Sequence, residues 1–171
     1  MGDICSADLP PTGRIFPVMI RDEQISRLMG AGALTLLLGA LGFQYLAHLA
    51  PCEMCHWQRW PHIAAAVAGL ALVSFWKKHT RELAIFTIVM VALSGLIGAY
   101  QAGMQWGFLP GPDACTVAHA YVMGSGAPPP AVSCNAVTWS LFGLSLAVYN
   151  ALFSLSIAGA GAFLLSRSHA D

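Results

Sequence analysis

The chain contains four long stretches in which apolar residues follow one another with few charges, over about 29–49, 60–76, 83–103 and 144–165. About 20 apolar residues in a helix are enough to cross the hydrocarbon core of a bilayer. Charged residues make up only 9% of the 171 residues, whereas soluble domains carry about 25%. So few charges cannot cover a globule in water. We therefore predict an all-α membrane protein, a bundle of four transmembrane helices.

The distribution of Lys and Arg predicts the orientation, because these residues are in excess in cytoplasmic loops. Four spans place both termini and the loop after the second span on one side. Seven of the eight basic residues belong to that side: Arg14, Arg21, Arg27, Lys77, Lys78, Arg81 and Arg167. We predict cytoplasmic tails at 1–27 and 167–171, a membrane domain at 28–166, and two outer loops at about 50–59 and 104–143.

Four of the five cysteines fall in the two outer loops. Cys52 and Cys55 form a Cys-x-x-Cys pair before the second span, and Cys115 and Cys134 lie in the long loop. Disulfides persist outside the cytoplasm, whereas cytoplasmic thiols are kept reduced. Two disulfides are therefore expected, although four cysteines allow three pairings. Cys5, in the N-terminal tail, is interpreted as an incidental free thiol.

The Cys-x-x-Cys pair suits redox chemistry better than structural bracing, because such a short ring contributes little to stability. Cys52 follows Pro51 at the predicted start of a helix, and a helix N-terminus stabilises a thiolate. Arg59 lies four residues after Cys55, on the same helical face. It is the one basic residue of the outer side, near the membrane boundary, where an unpaired charge is expensive. We favour a functional role for Arg59, in which its positive charge holds a thiolate or an anionic ligand beside Cys55. The alternative is an interfacial arginine that only extends its charged group to water.

Other interpretations of these cysteines remain open. Cys52-x-x-Cys55-His56 is the attachment pattern of c-type haem, with His56 as the axial ligand. That reading leaves Cys115 and Cys134 without a role and little soluble chain to enclose a haem. Four outward cysteines are also a possible zinc site, although their spacing is loose for one. A non-catalytic membrane protein whose disulfides only hold loops is a further alternative.

The long loop differs from the first in its wealth of Gly, Pro and small residues, which suggests a mobile segment. A mobile, exposed disulfide is accessible to a soluble protein thiol, and a Cys-x-x-Cys at the membrane edge is accessible to a lipid-soluble acceptor. Thiol–disulfide exchange between the pairs would join them into an electron path. Residues 117–123 fit a short helix lying on the membrane as well as an ordinary turn. The net charge is zero, so the chain lacks the excess of basic residues that is typical of nucleic-acid-binding proteins.

Several short segments match one known family. They are Phe43-Gln44, Pro51-Cys52-x-x-Cys55-x-x-Gln58-Arg59, Trp106-Gly107-Phe108, Pro110-Gly111-Pro112 before Cys115, and Cys134 followed by Trp139 and Leu141-Phe142-Gly143-Leu144-Ser145. Over about Arg27–Leu165 the chain resembles the disulfide bond formation protein B (DsbB) family. These are bacterial inner-membrane quinone reductases that reoxidise the periplasmic thiol oxidase DsbA. The resemblance implies that both outer loops are periplasmic.

The resemblance also implies a role for each loop cysteine. Cys115 corresponds to the cysteine that forms a mixed disulfide with a DsbA-like, thioredoxin-fold oxidase. Cys134 corresponds to its partner, which then exchanges with Cys52. Cys55 corresponds to the thiolate that contacts the quinone ring. The implied function is electron transfer from protein dithiols through both pairs to a membrane quinone, which supports protein disulfide bond formation.

The quinone site implied by the resemblance contains Arg59, which favours the charged form of Cys55 and the reduced quinone. Gln44 and Gln101 fall where the family has glutamines near that pocket. The expected cofactor is ubiquinone or menaquinone, and no metal is expected. His62, one turn after Arg59, is a possible proton donor, but a packed interhelical histidine is the more frequent case.

The nearest alternative enzyme is a four-helix quinone reductase of the vitamin K epoxide reductase type. It too uses a Cys-x-x-Cys and an outward loop pair. Its quinone-side Cys-x-x-Cys is expected near the last span, however, whereas Cys52 and Cys55 precede the second span.

Overall fold

The computed structural model describes residues 21–112, 115 and 132–168. The N-terminal tail with Cys5 and the predicted loop helix at 117–123 lie outside the described residues. The α-helices are α1 (Asp22–Tyr45), α2 (Glu53–Ala66), α3 (Val73–Phe75), α4 (Thr80–Gln105) and α5 (Leu146–Arg167).

Short elements connect these helices. A π-helical turn, Val67–Leu72, continues α2 into α3, and a 3₁₀ turn, Lys77–His79, leads into α4. A two-stranded antiparallel hairpin, β1 (Ser140–Leu141) and β2 (Leu144–Ser145), immediately precedes α5.

Three helical stretches of the described chain are long and apolar enough to cross a membrane: α1, Lys77–Gln105 and α5. The predicted second span is also helical, from Glu53 to Phe75, but the π-helical turn divides it. The protein is therefore a mostly helical membrane protein, and three of the four predicted spans are single uninterrupted stretches.

Helix α1 begins at Asp22, earlier than the predicted span, so its first turns are polar. The start of α1 therefore belongs to the predicted tail at 1–27. Its first turn contains Glu23, whose Oε1 accepts hydrogen bonds from Arg27 Nη2 at 3.0 Å and Lys77 Nζ at 2.6 Å. The ion pair with Lys77 joins the start of α1 to the 3₁₀ turn before α4.

Helix α2 also begins before the predicted span, at Glu53, so the Cys-x-x-Cys pair belongs to its first turn. Cys52 is the N-cap residue, and its Sγ accepts the backbone N–H of Cys55 at 3.2 Å. The first N–H groups of a helix have no partner within the helix, and here a sulfur takes the place of the usual capping oxygen.

Contacts between the helix ends define two opposite ends of the molecule. At one end, Ser168 Oγ donates to Asp22 Oδ1 at 2.9 Å, close to the ion pairs of Glu23. At the other end, Ser145 Oγ donates to Gln105 Oε1, which joins the start of α5 to the end of α4. The cysteines lie at this second end.

Small residues allow the helices to approach closely. One buried cluster consists of Ala33, Ala65, Val91 and Ala158. A Cβ atom on Gly30 of α1 would lie 2.9 Å from the Cα of Gly69 in the π-helical turn, so neither position has room for a side chain. Such small-residue contacts are typical of helix packing in membranes, and here they set the distance between α1 and α2.

The β-hairpin lies near the cysteine end and packs on α1 and α5. Its two-residue turn, Phe142-Gly143, has φ of 50° and 77°, as a type I′ turn requires. Trp139, just before β1, packs on Phe43 of α1 with ring centroids 4.9 Å apart. Tyr149 of α5 donates its hydroxyl to Leu141 O at 3.0 Å. The hairpin thereby covers the gap between α1 and α5.

Candidate functional site

Cys52 and Cys55 are free thiols in the structure, so the second of the two expected disulfides is not formed here. Cys52 is buried and Cys55 is partly buried. Because the pair lies at the N-terminus of α2, as the sequence predicts, the Cys52 sulfur accepts a hydrogen bond from a backbone N–H of the helix. A reduced pair in this position is chemically competent for thiol–disulfide exchange.

The other two cysteines form a disulfide, Cys115–Cys134, with Cα atoms 5.1 Å apart. The structure thus selects one of the three pairings that the sequence allows. Val132, two residues before Cys134, makes an isolated parallel β-bridge with Cys52. One buried cluster contains Cys52, Met54, Met104, Cys115 and Cys134. The long loop therefore buries its disulfide against Cys52. The expectation of an exposed loop disulfide is wrong for this structure, since Cys115 and Cys134 are 2% and 0% exposed.

Gln101 of α4 connects the two free sulfurs. Its Nε2 lies 3.2 Å from Cys52 Sγ and 3.9 Å from Cys55 Sγ. The Gln101 side chain is buried, so water does not compete for these hydrogen bonds. The sequence predicts this residue near a quinone pocket, and the structure places it on the sulfurs as well as on a cavity wall.

The surroundings make the two thiols unlike each other. The pKa of Cys55 is lowered to about 6, and the largest cause is the hydrogen bond with the Cys52 thiol. The Cys52 backbone, the Gln101 amide and the positive charge of Arg59 lower this pKa further, while burial opposes the shift. The pKa of Cys52 is raised by its hydrogen bond to Cys55 and by burial. Cys55 is therefore the thiolate of the pair, and Cys52 keeps its proton.

A cavity of about 450 Å³ lies next to Cys55 and extends along α1 as far as Thr35. Small-molecule sites usually enclose about 300–1,000 Å³ and are mainly apolar with a few polar groups. The apolar walls include Leu36, Leu37, Phe43, Trp139, Leu146 and Phe153. This composition fits an apolar ring compound lying beside the thiolate.

Arg59 and Gln44 provide polar groups on the same cavity wall. Arg59 Nη1 donates a hydrogen bond to Gln44 Oε1, which links α2 to the end of α1. Among the described residues, buried Arg59 Nε has no hydrogen-bond partner. The guanidinium therefore retains donor capacity toward a ligand with oxygen atoms. The structure brings Arg59, Gln44, Gln101 and Cys55 to one cavity.

Three further polar residues belong to the site and were not among the predicted site residues: Gln58, His62 and Asn150. Gln58 Nε2 donates to Gln101 Oε1 at 2.6 Å, and Asn150 Nδ2 donates to Gln58 Oε1 at 2.9 Å. His62 Nε2 lies 3.0 Å from Asn150 Oδ1. The available signal was polar residues at helical spacing inside apolar runs, such as Gln58 and His62 four residues apart.

Metal binding has no support within the described residues, where no group of three or more His, Cys, Asp and Glu side chains is arranged to hold an ion. A four-cysteine zinc site would also need Cys115 and Cys134, which are bonded to each other.

Two cysteine pairs in one buried cluster, beside a ligand-sized cavity in an apolar helical chain, define a membrane disulfide oxidoreductase. The family model described as disulfide bond formation protein DsbB matches residues 22–164, and the chain belongs to this family. The resemblance predicted from the sequence motifs is thus confirmed.

Curated relatives agree with this assignment. The chain is 28% identical over 151 residues to the disulfide bond formation protein B of Acidovorax sp. (strain JS42), covering 80% of this chain and 83% of the relative. It is also 28% identical over 163 residues to the disulfide bond formation protein B of Polaromonas sp. (strain JS666 / ATCC BAA-500), covering 85% and 91%. No solved structure gives a significant match.

Proposed function

We propose that the protein reoxidises a periplasmic DsbA-like, thioredoxin-fold oxidase and passes the electrons to a quinone of the bacterial inner membrane. The observation that carries this proposal is the position of Cys55. It packs against the buried cluster that contains the Cys115–Cys134 disulfide, and it also lines the cavity. Cys55 thus lies between the proposed source of the electrons and the cavity proposed for their acceptor.

The proposed membrane arrangement has four spans, with both termini in the cytoplasm and both cysteine pairs in the periplasm. Helices α2 and α3 with their π-helical turn form the second span of a membrane domain at 28–166. Three facts support it: the basic residues on one side, the three uninterrupted apolar stretches, and the contact of Ser168 with Asp22 that joins the two described ends.

The proposed electron path has four thiol–disulfide exchanges. A thiolate of the soluble oxidase attacks Cys115 Sγ, which breaks the Cys115–Cys134 bond and forms a mixed disulfide. The second thiol of the oxidase then attacks this mixed disulfide and releases Cys115, so the oxidase gains a disulfide. The resulting Cys134 thiolate attacks Cys52 Sγ in a Cys52–Cys55 disulfide and leaves Cys55 as the thiolate. Closure of Cys115 on Cys134 releases Cys52.

The residues around the cavity suit a quinone. When bound, a quinone would supply a two-electron, two-proton acceptor for the reduced pair. The Cys52 thiol provides one proton, and solvent provides the second, because Cys55 is already ionised. Cys55 would face the ring, and the Arg59 guanidinium would hold the oxygen on which negative charge grows. Apolar walls such as Phe43 and Trp139 would pack on the ring faces and keep water out. Ubiquinone and menaquinone both satisfy these requirements.

The deciding experiment compares Cys55→Ser with a matched Cys5→Ser variant, because Cys5 belongs to neither pair. In membranes containing Cys55→Ser, quinone reduction by a dithiol-loaded oxidase should stop, whereas one round of oxidase oxidation by Cys115–Cys134 should remain. Cys5→Ser should behave as the wild type. Quinone reduction at the wild-type rate in Cys55→Ser membranes would refute the proposal.

A further inference from the structure

A row of hydrogen-bonded side chains runs from the interior of the helical domain to the free cysteines. Its members are His62 and Gln58 of α2, Asn150 of α5 and Gln101 of α4. His62, Gln58 and Gln101 are between 3% and 8% exposed and Asn150 is partly exposed, so three of the four members are shielded from water. In such surroundings each polar group depends on its partner for a hydrogen bond.

Contacts on both sides of the Asn150 amide fix the direction of the row: Ser94 on the nitrogen side, and His62 and Ser154 Oγ on the oxygen side. The Asn150 side-chain nitrogen lies 3.2 Å from Ser94 O, and a carbonyl oxygen only accepts hydrogen bonds. The Nδ2 of Asn150 must therefore face Ser94, and its Oδ1 must face His62. Because Oδ1 is an acceptor, His62 carries its proton on Nε2, at 3.0 Å from it. The His62 Nδ1 atom has no partner among the described residues.

The orientation of Asn150 in turn fixes the orientations of the Gln58 and Gln101 amides, which lead to the sulfurs. Asn150 Nδ2 also donates to Gln58 at 2.9 Å, which turns the oxygen of Gln58 toward Asn150. The Gln58 nitrogen must then point at Gln101 Oε1, at 2.6 Å. This leaves the Gln101 N–H groups facing Cys52 Sγ and Cys55 Sγ. Each amide donates to the next, and donors polarise one another along such a chain.

We propose that Asn150 and His62 are positioning residues for the cysteine pair, and that they keep Gln58 and Gln101 oriented so that an N–H donor faces the sulfurs. Without Asn150, the Gln58 amide has no partner that selects its orientation. Gln101 is then free to turn its oxygen toward the sulfurs, where it repels a thiolate. The proposal rests on the redox role of Cys52 and Cys55 in the proposed function.

The ionisable groups near Cys55 are few within the described chain. Arg59 is the charged residue that acts on its sulfur, and Cys52 is the titratable neighbour. Glu53 and His56, on the same helical turn, are exposed, and Glu53 accepts a hydrogen bond from Trp57 Nε1 at 3.1 Å. From α4 the sulfurs receive the Gln101 amide. A substitution of Asn150 or His62 is therefore expected to alter the ionisation of Cys55 through the hydrogen-bonded row, not through another charged group.

The test measures the rate of iodoacetamide alkylation at Cys55 against pH, by mass spectrometry of the peptide, in reduced full-length protein in nanodiscs. The variants are Asn150→Leu, His62→Leu and His62→Gln. A Gln side chain at position 62 can again offer an N–H to Asn150 Oδ1. Thr87→Val is the matched control, since Thr87 is buried but donates only within its own helix, to Ala84 O at 2.9 Å.

We expect the midpoint of the Cys55 profile to rise by about one pH unit in Asn150→Leu and His62→Leu, which is the loss of one charge-assisted hydrogen bond. His62→Gln and Thr87→Val should match the wild type. If both leucine variants also match the wild type, or if His62→Gln shifts as far as His62→Leu, the proposal is wrong.

Two features keep this test decisive. If Asn150→Leu does not accumulate in membranes, the comparison of His62→Leu with His62→Gln settles the question alone, because a purely structural role would not restore the pH profile in the glutamine variant. The assay contains neither quinone nor soluble oxidase. A failure of the proposed electron path would therefore leave the alkylation profiles unchanged, and the two proposals fail separately.

Discussion

Gln101 Nε2 lies 3.2 Å from Cys52 Sγ, so an amide of α4 contacts the sulfur that caps helix α2. The same nitrogen lies 3.9 Å from Cys55 Sγ. A donor shared by both sulfurs stabilises the reduced, thiolate-bearing pair more than the disulfide. We therefore expect the pair to be a stronger oxidant than an isolated Cys-x-x-Cys, because stabilising the reduced form raises the reduction potential.

Replacement of Gln101 by Leu should make the Cys52–Cys55 couple more reducing. A hydrogen bond to a charged group contributes about 1.5–3 kcal/mol, and about 30 mV corresponds to 1.4 kcal/mol for a two-electron couple. We expect the potential to fall by about 30–60 mV, measured by equilibration with thiol redox buffers and mass spectrometry. Gln105→Leu, which removes the contact with Ser145 instead, is the control. An unchanged potential in Gln101→Leu would show that the Gln101 hydrogen bond does not stabilise the reduced pair.

The reactivity of Cys55 should depend on pH with a midpoint near 6, the value to which its pKa is lowered. The thiolate is present above this pH and is lost as the pH falls through it. Alkylation of Cys55 in the reduced protein should therefore rise between about pH 5 and 7 and then level off, whereas an ordinary thiol reacts faster up to about pH 8.5. A rate at Cys55 that still climbs above pH 8 would contradict the prediction.

Removal of the Arg59 charge should weaken both the thiolate and the quinone site. In Arg59→Met we expect the Cys55 midpoint to move to higher pH and kcat/KM for quinone to fall by at least about tenfold, as for loss of a charge-assisted contact. Lys78→Met is the matched control, because Lys78 is an exposed basic residue on the predicted cytoplasmic side. Equal kinetics in the two variants would remove Arg59 from the quinone site.

The loop disulfide should have one cysteine for the soluble oxidase and one for the inner pair. Val132 pairs with Cys52 only two residues before Cys134, so Cys134 is the cysteine placed for exchange with Cys52. Cys134→Ser should therefore trap a mixed disulfide between Cys115 and the oxidase, visible on a non-reducing gel. If Cys115→Ser instead traps the oxidase on Cys134, the order of the two cysteines is reversed.

The contact between Gly30 and Gly69 should contribute strongly to stability. A Cβ on Gly30 would lie 2.9 Å from Gly69 Cα and 3.1 Å from its carbonyl carbon. We expect Gly30→Ala to destabilise the protein by about 1–3 kcal/mol, as overpacking does elsewhere, measured by thermal unfolding in detergent. Gly159→Ala, where a Cβ meets nothing within 4 Å, should have little effect. Equal melting temperatures would mean that α1 and the π-helical turn separate without cost.

Much of the site was predictable because it depends on local spacing. Cys52, Cys55 and Arg59 occupy one face at the start of a helix, and this follows from their separation along the chain. The placement of Gln101 on the sulfurs did not follow, because residues 52 and 101 belong to different helices. Periodicity identifies the positions within one helix but does not say which face of another helix meets them.

By itself, the sequence determined the apolar helices, the uneven distribution of basic residues and the redox character of the Cys-x-x-Cys pair, since hydropathy, charge and short ring size are properties of consecutive residues. Tertiary structure alone decided that the Cys115–Cys134 disulfide lies against Cys52 and that a cavity opens beside Cys55. It also decided that Asn150 of α5 meets Gln58 of α2. These contacts depend on how closely small residues let the helices approach, a property of facing surfaces that no single segment encodes.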